Sequence, residues 1–538
     1  MVFTRYKPEN FLKEFPDEYE CDAIVIGAGP NGLITALYLQ SANLKVVLCE
    51  RRYEIAGGLA TEEILFPSNL SNTHAIYMMM IDYMPVLRDF NLEKHGLDFL
   101  KPANQVSFVS RDGFIISLSR MLQDSKDSVC QISFDEADRF EKIFRNWRRI
   151  VDEILAPATY IPPLPPIEMV ESFQRTNLGK EFLELSEKSP IEVIDKAFSS
   201  DKLKALLTYL VGMWGVDPEE TGMGFMVPLL VVRATQKCYT YGGSHRFASA
   251  MAREFCSLGG IILDNAEVEK IIVEGKKAVG VKLKDGRKIF AKVVASSLPA
   301  PITFEKLSQI PESAKEEAQI LKDWKWDKWS FFTLHFTSKS TPKLKPGREN
   351  PLSFMTIIGF SNLEDVMDFF RKLKEGKPEI RGGHFTCQSM FDDTLSRDGK
   401  VVSFLQVCFP YCDYKKEEIE RELLKLCEEY FEFSQDEIAS EGPKEIEMRL
   451  TSMVRGSIKH GDYTPTQMGY FRPTENSSSS ATPVEGLYLC GASTYPGGLI
   501  IGGQGYIAAN RICDDLGVKK WWKPPDFILR FLKNYGDK

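Results

Sequence analysis

The sequence predicts an α/β chain, in which a parallel sheet extended by a β-meander is interrupted by an inserted α+β region. Three observations predict it. A short apolar strand at 22–26, a glycine-rich turn, a helix at 32–41 and a second strand at 45–49 form a βαβ start. Apolar runs at 261–263, 268–273, 278–283 and 293–296, separated by Glu-Gly and Asp-Gly turns, read as a meander. A late strand at 486–490 opens on a glycine-dense loop and a helix at 506–515.

The intervening residues have a different character. Residues 130–215 are mainly helical, with Phe140, Ile143, Phe144, Trp147, Ile150 and Val151 at helical spacing. Residues 157–166 carry five prolines and interrupt that pattern. Residues 330–410 alternate apolar and polar runs, which predicts a second sheet, and 417–430 form a charged amphipathic helix. The Ser-rich stretch 474–482 reads as a polar link.

Composition narrows the function classes. A chain of 538 residues, 43% hydrophobic and 26% charged, is an ordinary globular composition. A net charge of -8 argues against nucleic acid as a partner, which requires a basic face. The longest apolar run, 223–232, is well short of the roughly 20 residues of a membrane-spanning helix. Residues 1–20 lack the apolar centre of a signal peptide. Eleven cysteines without a CxxC pair suggest reduced thiols in a cytoplasmic setting and no metal site.

The first chemical signal is Gly27-Ala28-Gly29-Pro30-Asn31-Gly32, placed between strand and helix. The first glycine permits the tight turn, the second lets a pyrophosphate approach the backbone, and the third allows helix and strand to pack closely. The helix N-terminus offers free N–H groups to phosphates. Glu50, at the end of the second strand, is placed to accept hydrogen bonds from ribose hydroxyls. Strand, helix, second strand and acid together indicate a Rossmann-like dinucleotide site.

The second signal is Gly57-Gly58, which completes the pattern from Glu50 through Arg51-Arg52-Tyr53-Glu54-Ile55-Ala56. This resembles the phytoene desaturase-like FAD-dependent oxidoreductases, the carotenoid desaturases, isomerases and retinol saturases within the amine oxidase and GDI-like flavoprotein superfamily. The segment Gly491-Ala492-Ser493-Thr494-Tyr495-Pro496-Gly497-Gly498, followed by Gly502-Gly503-Gln504-Gly505, is similar to that family's C-terminal flavin segment. Weaker matches are Gly242-Gly243-Ser244, Asp392-Asp393-Thr394-Leu395, and His460-Gly461-Asp462 with Gln467, Arg472 and Pro473.

The resemblance implies FAD as cofactor, a Rossmann-like FAD-binding domain, and an inserted α+β substrate domain. It divides the chain into FAD-binding segments 1–115, 236–300 and 481–518, substrate segments 116–235 and 301–480, and a tail 519–538. It adds to the cofactor contacts Leu59, Ala60, Val268, Gly491, Ala492, Leu499, Ile500 and Ile501. It sets Arg51 near the adenosine, where the alternative is a solvated surface arginine. Departures include Leu59 in place of the arginine of the amine oxidases' GGR, which disfavours an amine oxidase, as does the lack of an evident aromatic cage. Tyr495 replaces the histidine of THPG, and Ser296-Ser297-Leu298 replaces Asn-Ala-Asp.

For chemistry, the flavin N5 accepts or donates hydride and the protein orients the substrate. Two residues are candidates for proton handling. Tyr495 would either move a proton or pack on the ring, and His245, at a helix start, would either do so or hold a structural hydrogen bond. Met78, Met79, Met80, Trp214, Phe225 and Met226 offer walls for a lipid tunnel or ordinary core. No second dinucleotide motif is present, so an external electron acceptor or donor (quinone, oxygen or a carrier) is expected.

The tail, with Lys519, Lys520, Trp521, Trp522, Lys523, Phe527, Arg530 and Phe531, suits peripheral contact with an anionic membrane surface or docking against the protein's own body. The leading expectation is a desaturase, saturase or isomerase acting on a long isoprenoid or polyene-like lipid. The alternatives are a flavin amine oxidase and a non-enzymatic prenyl-lipid carrier of the GDI or Rab-escort type.

Overall fold

Two seven-stranded sheets and a helical lobe organise the described residues. The structure is a computed structural model, and it describes residues 15–345 and 353–536. The first sheet runs in the order Val268–Glu274, Lys277–Leu283, Lys288–Ser296, Glu18–Ile26, Val46–Cys49, Ile261–Leu263, with Leu487–Leu489 also paired to Lys288–Ser296. Glu18–Ile26 lies parallel to both Lys288–Ser296 and Val46–Cys49, while the meander strands are antiparallel. The central strands end in runs of buried residues, as expected of a sheet covered on both faces. Helices Pro30–Ser41 and Gly503–Asp515 cover one face.

The second sheet is ordered Gln435–Glu441, Ser330–Ser338, Val401–Phe409, Gly383–Cys387, Met355–Ile358, Asn104–Val109, Ile115–Ser119. Its central strand pair, Ser330–Ser338 and Val401–Phe409, is antiparallel in continuous register. Because Asn104–Val109 and Ile115–Ser119 pair within this sheet, the segment that builds the first sheet ends before residue 104 rather than at 115. The apolar alternation at 104–109 is the same whichever sheet receives it, and only the pairing distinguishes them.

The helical lobe departs from expectation at its prolines. Helix Phe134–Ile150 continues through a π-helical turn, Val151–Leu155, into Ala156–Ala158, so the chain stays helical past Pro157. A proline ring clashes with the carbonyl four residues earlier in a regular α-helix, and a wider turn accommodates it. The stretch 474–482 is no solvated link. Thr474 Oγ1 and Ser477 Oγ donate to the fully buried Glu317 carboxylate at 2.7 Å and 2.6 Å. A buried carboxylate needs such donors, and hydroxyl-rich sequence supplies them.

The tail docks on the body. Helix Asp526–Tyr535 buries Ile528, Phe531 and Tyr535, and Trp522 packs at a tilt against Tyr38 with ring centroids 4.8 Å apart. Tyr535 shares a hydrogen bond of 2.9 Å with Thr176. Leu529 and Leu532 stay exposed, as do Ile167 and Val170 on helix Pro166–Phe173, against which the tail helix packs. No helix among the described residues is long and apolar enough to cross a membrane. Phe531→Ala is expected to lower the free energy of unfolding by about 3–5 kcal/mol. An unchanged urea midpoint would show that the tail does not contribute to the core.

Candidate functional site

The turn after the first strand is built from steric necessity. Gly27 has φ 90°, which favours glycine, and a Cβ there would meet Ser297 Oγ. A Cβ on Gly32 would run into the Gly27 carbonyl, whereas one on Gly29 would find nothing within 4 Å. The two glycines therefore have different duties: Gly32 lets helix and strand approach, and Gly29 keeps a space open. Gly57, at φ 53°, comes so close that a Cβ would lie 3.1 Å from Gly29 Cα.

That space is the end of a cavity of about 320 Å³. Its wall includes Gly27, Gly29, Pro30, Asn31, Glu50, Arg51 and Val268. Gly57, Gly58, Ala492, Leu499 and Ile500 line the same cavity. Glu50 is fixed from behind: Ala28 N–H donates to Oε2 at 2.8 Å and Arg52 N–H to Oε1 at 2.9 Å. Burial pushes its carboxyl up, against the pull of those two N–H groups. Arg51 lines the cavity while donating to the Arg449 carbonyl at 3.1 Å.

The other sequence-predicted residues stand behind the wall or elsewhere. Gly32 and Gly491 are packing glycines, a Cβ on the latter striking the Ser297 carbonyl. Leu59 and Ala60 are buried in the core beside the Gly57–Gly58 turn. Ile501 faces a different cavity, and its carbonyl accepts from Tyr160 Oη at 3.0 Å.

Several wall residues carry no motif. Lys306, whose Nζ donates to the Val268 carbonyl at 2.6 Å, and Met453 and Ile458 reach the cavity through tertiary folding alone, and His460 of the His460-Gly461-Asp462 match joins them. His460 has φ 57°, and burial, with Arg472 nearby, holds its imidazole down to about 3. Its Nδ1 and the Oδ1 of Asn31 are buried without protein partners. Orphaned polar atoms, free helix N–H groups and the open space at Gly29 fit a bound dinucleotide.

Two smaller chambers share wall residues with that cavity, the first through Gly58, Leu499 and Ile500 and the second through Gly498 and Leu499. One, of about 60 Å³, is walled by Ile76, Tyr77, Trp214 and Phe331, with Thr73, His74, Thr333 and Gln406 as its polar members. The other, of about 100 Å³, is walled by Met79, Met80, Phe225, Met226 and Leu229, with Tyr495 and Ile501. Leu499 lines all three cavities. Leu499 at φ 79° and Ile500 at φ 53° hold a left-handed backbone that L side chains rarely adopt, most strained at Ile500, which is β-branched. Such strain concentrates at functional sites.

The two predicted proton handlers fare differently. Tyr495 lines the second chamber, but its hydroxyl donates to the Ala158 carbonyl at 2.8 Å and burial pushes its phenol up. His245 lines none of the three cavities. Its backbone N–H donates to Thr61 Oγ1 at 3.1 Å, and burial, with Arg246 beside it, holds the imidazole down to about 4. The Gly242-Gly243-Ser244 turn packs on the hairpin strands Thr61–Leu65 and Asn69–Asn72, away from the cavities.

Residues 31–513 match the family described as flavin containing amine oxidoreductase. The chain belongs to that family. A component of the limonene dehydrogenase of Castellaniella defragrans is 36% identical over 95% of this chain and 97% of its own. A lycopene-forming phytoene desaturase of Paracoccus is 23% identical, covering 89% and 94%. Among solved structures, an oxidoreductase from Methanosarcina mazei superposes with a TM-score of 0.59 at 15% identity, covering 92% of this chain and 100% of that one. Cyclohexylamine oxidase from Brevibacterium oxydans gives 0.59 at 15%, covering 92% and 99%, and both likenesses show the shared fold. This family member is an FAD-dependent oxidoreductase, which sets aside the carrier alternative.

The two glycines separate folding from cofactor binding. Gly29→Val is expected to melt within a few degrees of the wild type yet purify without the flavin absorption band. Gly32→Val should lose the fold itself. Circular dichroism and the visible spectrum of each variant check this, and a yellow Gly29→Val would contradict it.

Proposed function

We propose that the protein oxidises a short isoprenoid hydrocarbon by hydride transfer to flavin N5, with the isoalloxazine ring at Leu499 and Ile500. The observation that carries this reading is the pair of mostly apolar chambers meeting the cofactor cavity there, whose described lining residues include no carboxylate or lysine and one guanidinium, Arg233, which is engaged by Asp82 and the Met79 carbonyl. A hydride acceptor needs the C–H bond held against it in a dry space, and apolar and methionine-rich walls supply that. The chambers' small volumes suit a terpene better than a long polyene, and the similarity to a limonene dehydrogenase points the same way. FAD, when bound, supplies the redox chemistry. Glu50, Asn31, Arg51 and the backbone at 27–32 and 57–58 would hold its adenosine diphosphate part. A quinone, oxygen or a carrier would take the electrons onward.

A second reading, amine oxidation, draws on Tyr77, Trp214 and Phe331, which wall the first chamber with aromatic rings and could face a cation. It lacks an acidic partner for an ammonium among the described lining residues. Anaerobic mixing of the flavin-loaded protein with limonene and, separately, with cyclohexylamine distinguishes the two. The terpene should bleach the flavin band and the amine should leave it unchanged. Bleaching by the amine alone would overturn the proposal.

Peripheral membrane contact is the companion proposal, resting on exposed Ile167, Val170, Leu529 and Leu532 with the basic residues Arg530 and Lys533 nearby. Leu529→Glu with Leu532→Glu should reduce co-sedimentation with anionic vesicles several-fold. Equal binding by both proteins would remove the idea.

A further inference from the structure

Dehydrogenating a hydrocarbon removes a proton as well as a hydride, so the chamber needs a base. Of its polar wall members, Gln406 and Thr333 are committed to each other. Gln406 Nε2 donates to Thr333 Oγ1 at 2.8 Å, and its Oε1 pairs with His384 Nε2 at 3.1 Å. His384 Nδ1 in turn pairs with the Tyr209 hydroxyl at 3.0 Å. Thr73 has an unpartnered hydroxyl, which is no base near neutral pH. The Tyr77 hydroxyl is paired with Thr386 Oγ1 at 2.8 Å, which leaves His74.

His74 stands two residues beyond strand Asn69–Asn72, and its side chain is 3% exposed. The adjoining Ala75 N–H donates to the Gly58 carbonyl at 2.9 Å, which ties His74 to the glycine pair shared by the cofactor cavity and the chamber. Its Nδ1 is 3.7 Å from Glu441 Oε1, and that oxygen has no hydrogen-bond partner of its own. The other carboxylate oxygen of Glu441 is paired with Arg449, which also holds Glu62. A carboxylate beside Nδ1 favours the tautomer with its proton there and leaves the lone pair on Nε2. Nε2 is buried and has no protein partner.

We propose that His74 is the proton acceptor of a dehydrogenation in this chamber, with Glu441 positioned to steady the imidazolium that results. The inference rests on the hydride-transfer reading above. One substrate C–H bond breaks with both electrons, which leave as hydride to the oxidised flavin. The C–H bond on the neighbouring carbon breaks with its electrons staying to form the C=C bond, and its proton goes to His74 Nε2. The substrate loses two hydrogens, one carried by the reduced flavin and one by the imidazolium. Burial, with Arg449, Arg52 and His335 around it, holds His74 well below the ordinary histidine range. The free imidazole is therefore neutral with Nε2 open to accept the substrate proton, and the imidazolium so formed passes that proton on readily, which readies the ring for the next turnover.

The test uses the flavin-loaded full chain, limonene as substrate and the saturated analogue p-menthane as an inert ligand. His74→Gln should keep its flavin, and should bind p-menthane, read from the shift of the flavin band, within about threefold of the wild type. Its anaerobic flavin reduction by limonene should fall by about 10²–10⁴-fold. Added imidazole should restore part of that rate to His74→Ala, which a packing role would not allow. Reduction of His74→Gln at the wild-type rate overturns the assignment. So does loss of p-menthane binding combined with no imidazole rescue of His74→Ala. If limonene binds but fails to reduce the wild type, the hydride-transfer reading falls, and the assignment with it.

Discussion

The arrangement of the site depends on one buried guanidinium. Arg472 is fully buried and donates to the carbonyls of Lys459, at 2.9 Å, Asp462, at 3.2 Å, Gln467, at 3.1 Å, and Ala492, at 2.9 Å. It lies between the rings of Trp324 and Tyr463, 5.5 Å and 5.1 Å from their centroids. A desolvated cation is tolerated only where its donors are all engaged, and a guanidinium with several N–H groups can gather several loops at once. Here it fastens the 459–467 loop to the segment that follows the last strand of the first sheet. His460 and Ala492 consequently arrive on the same cavity wall.

A second buried charge reinforces that loop. Lys459 pairs with Asp327, both almost wholly buried, and Asp327 also accepts from Ser457 Oγ at 2.6 Å. The Lys459 chain fills the space that Gly498 leaves, since a Cβ on Gly498 would lie 2.9 Å from Lys459 Cα. The strained turn at Leu499 and Ile500 follows directly, so the loop and the turn are packed as one unit. The three cavities and the two buried cations are therefore packed as one unit, held by polar groups buried behind the cavity walls.

How much of this was legible in the sequence follows from how local each signal is. The glycines at 27–32, Glu50 and the meander are periodic or contiguous, so the cofactor end was readable from spacing alone. Resemblance singled out Ala492, Leu499 and Ile500, which line the same cavity as the glycine turn, and Ile501, which lines another. His74, Met453, Ile458 and Lys306 have nothing beside them in the sequence to mark them, and they line the cavities because of partners far away along the chain. His245 drew attention by standing after two glycines, but that turn packs against Thr61. The tail shows the limit of composition: aromatic and basic residues at helical spacing serve a membrane surface or a protein groove equally. Here Trp522, Phe531 and Tyr535 found the protein, and Leu529 and Leu532 remain outside.

The central claim is that the flavin ring lies where the chambers meet. A crystal structure of the FAD-loaded protein tests it most directly. The account predicts the isoalloxazine ring against Leu499 and Ile500, with one face open to the chamber of His74 and Trp214. A ring seated elsewhere, or walled off from that chamber by protein, would contradict it.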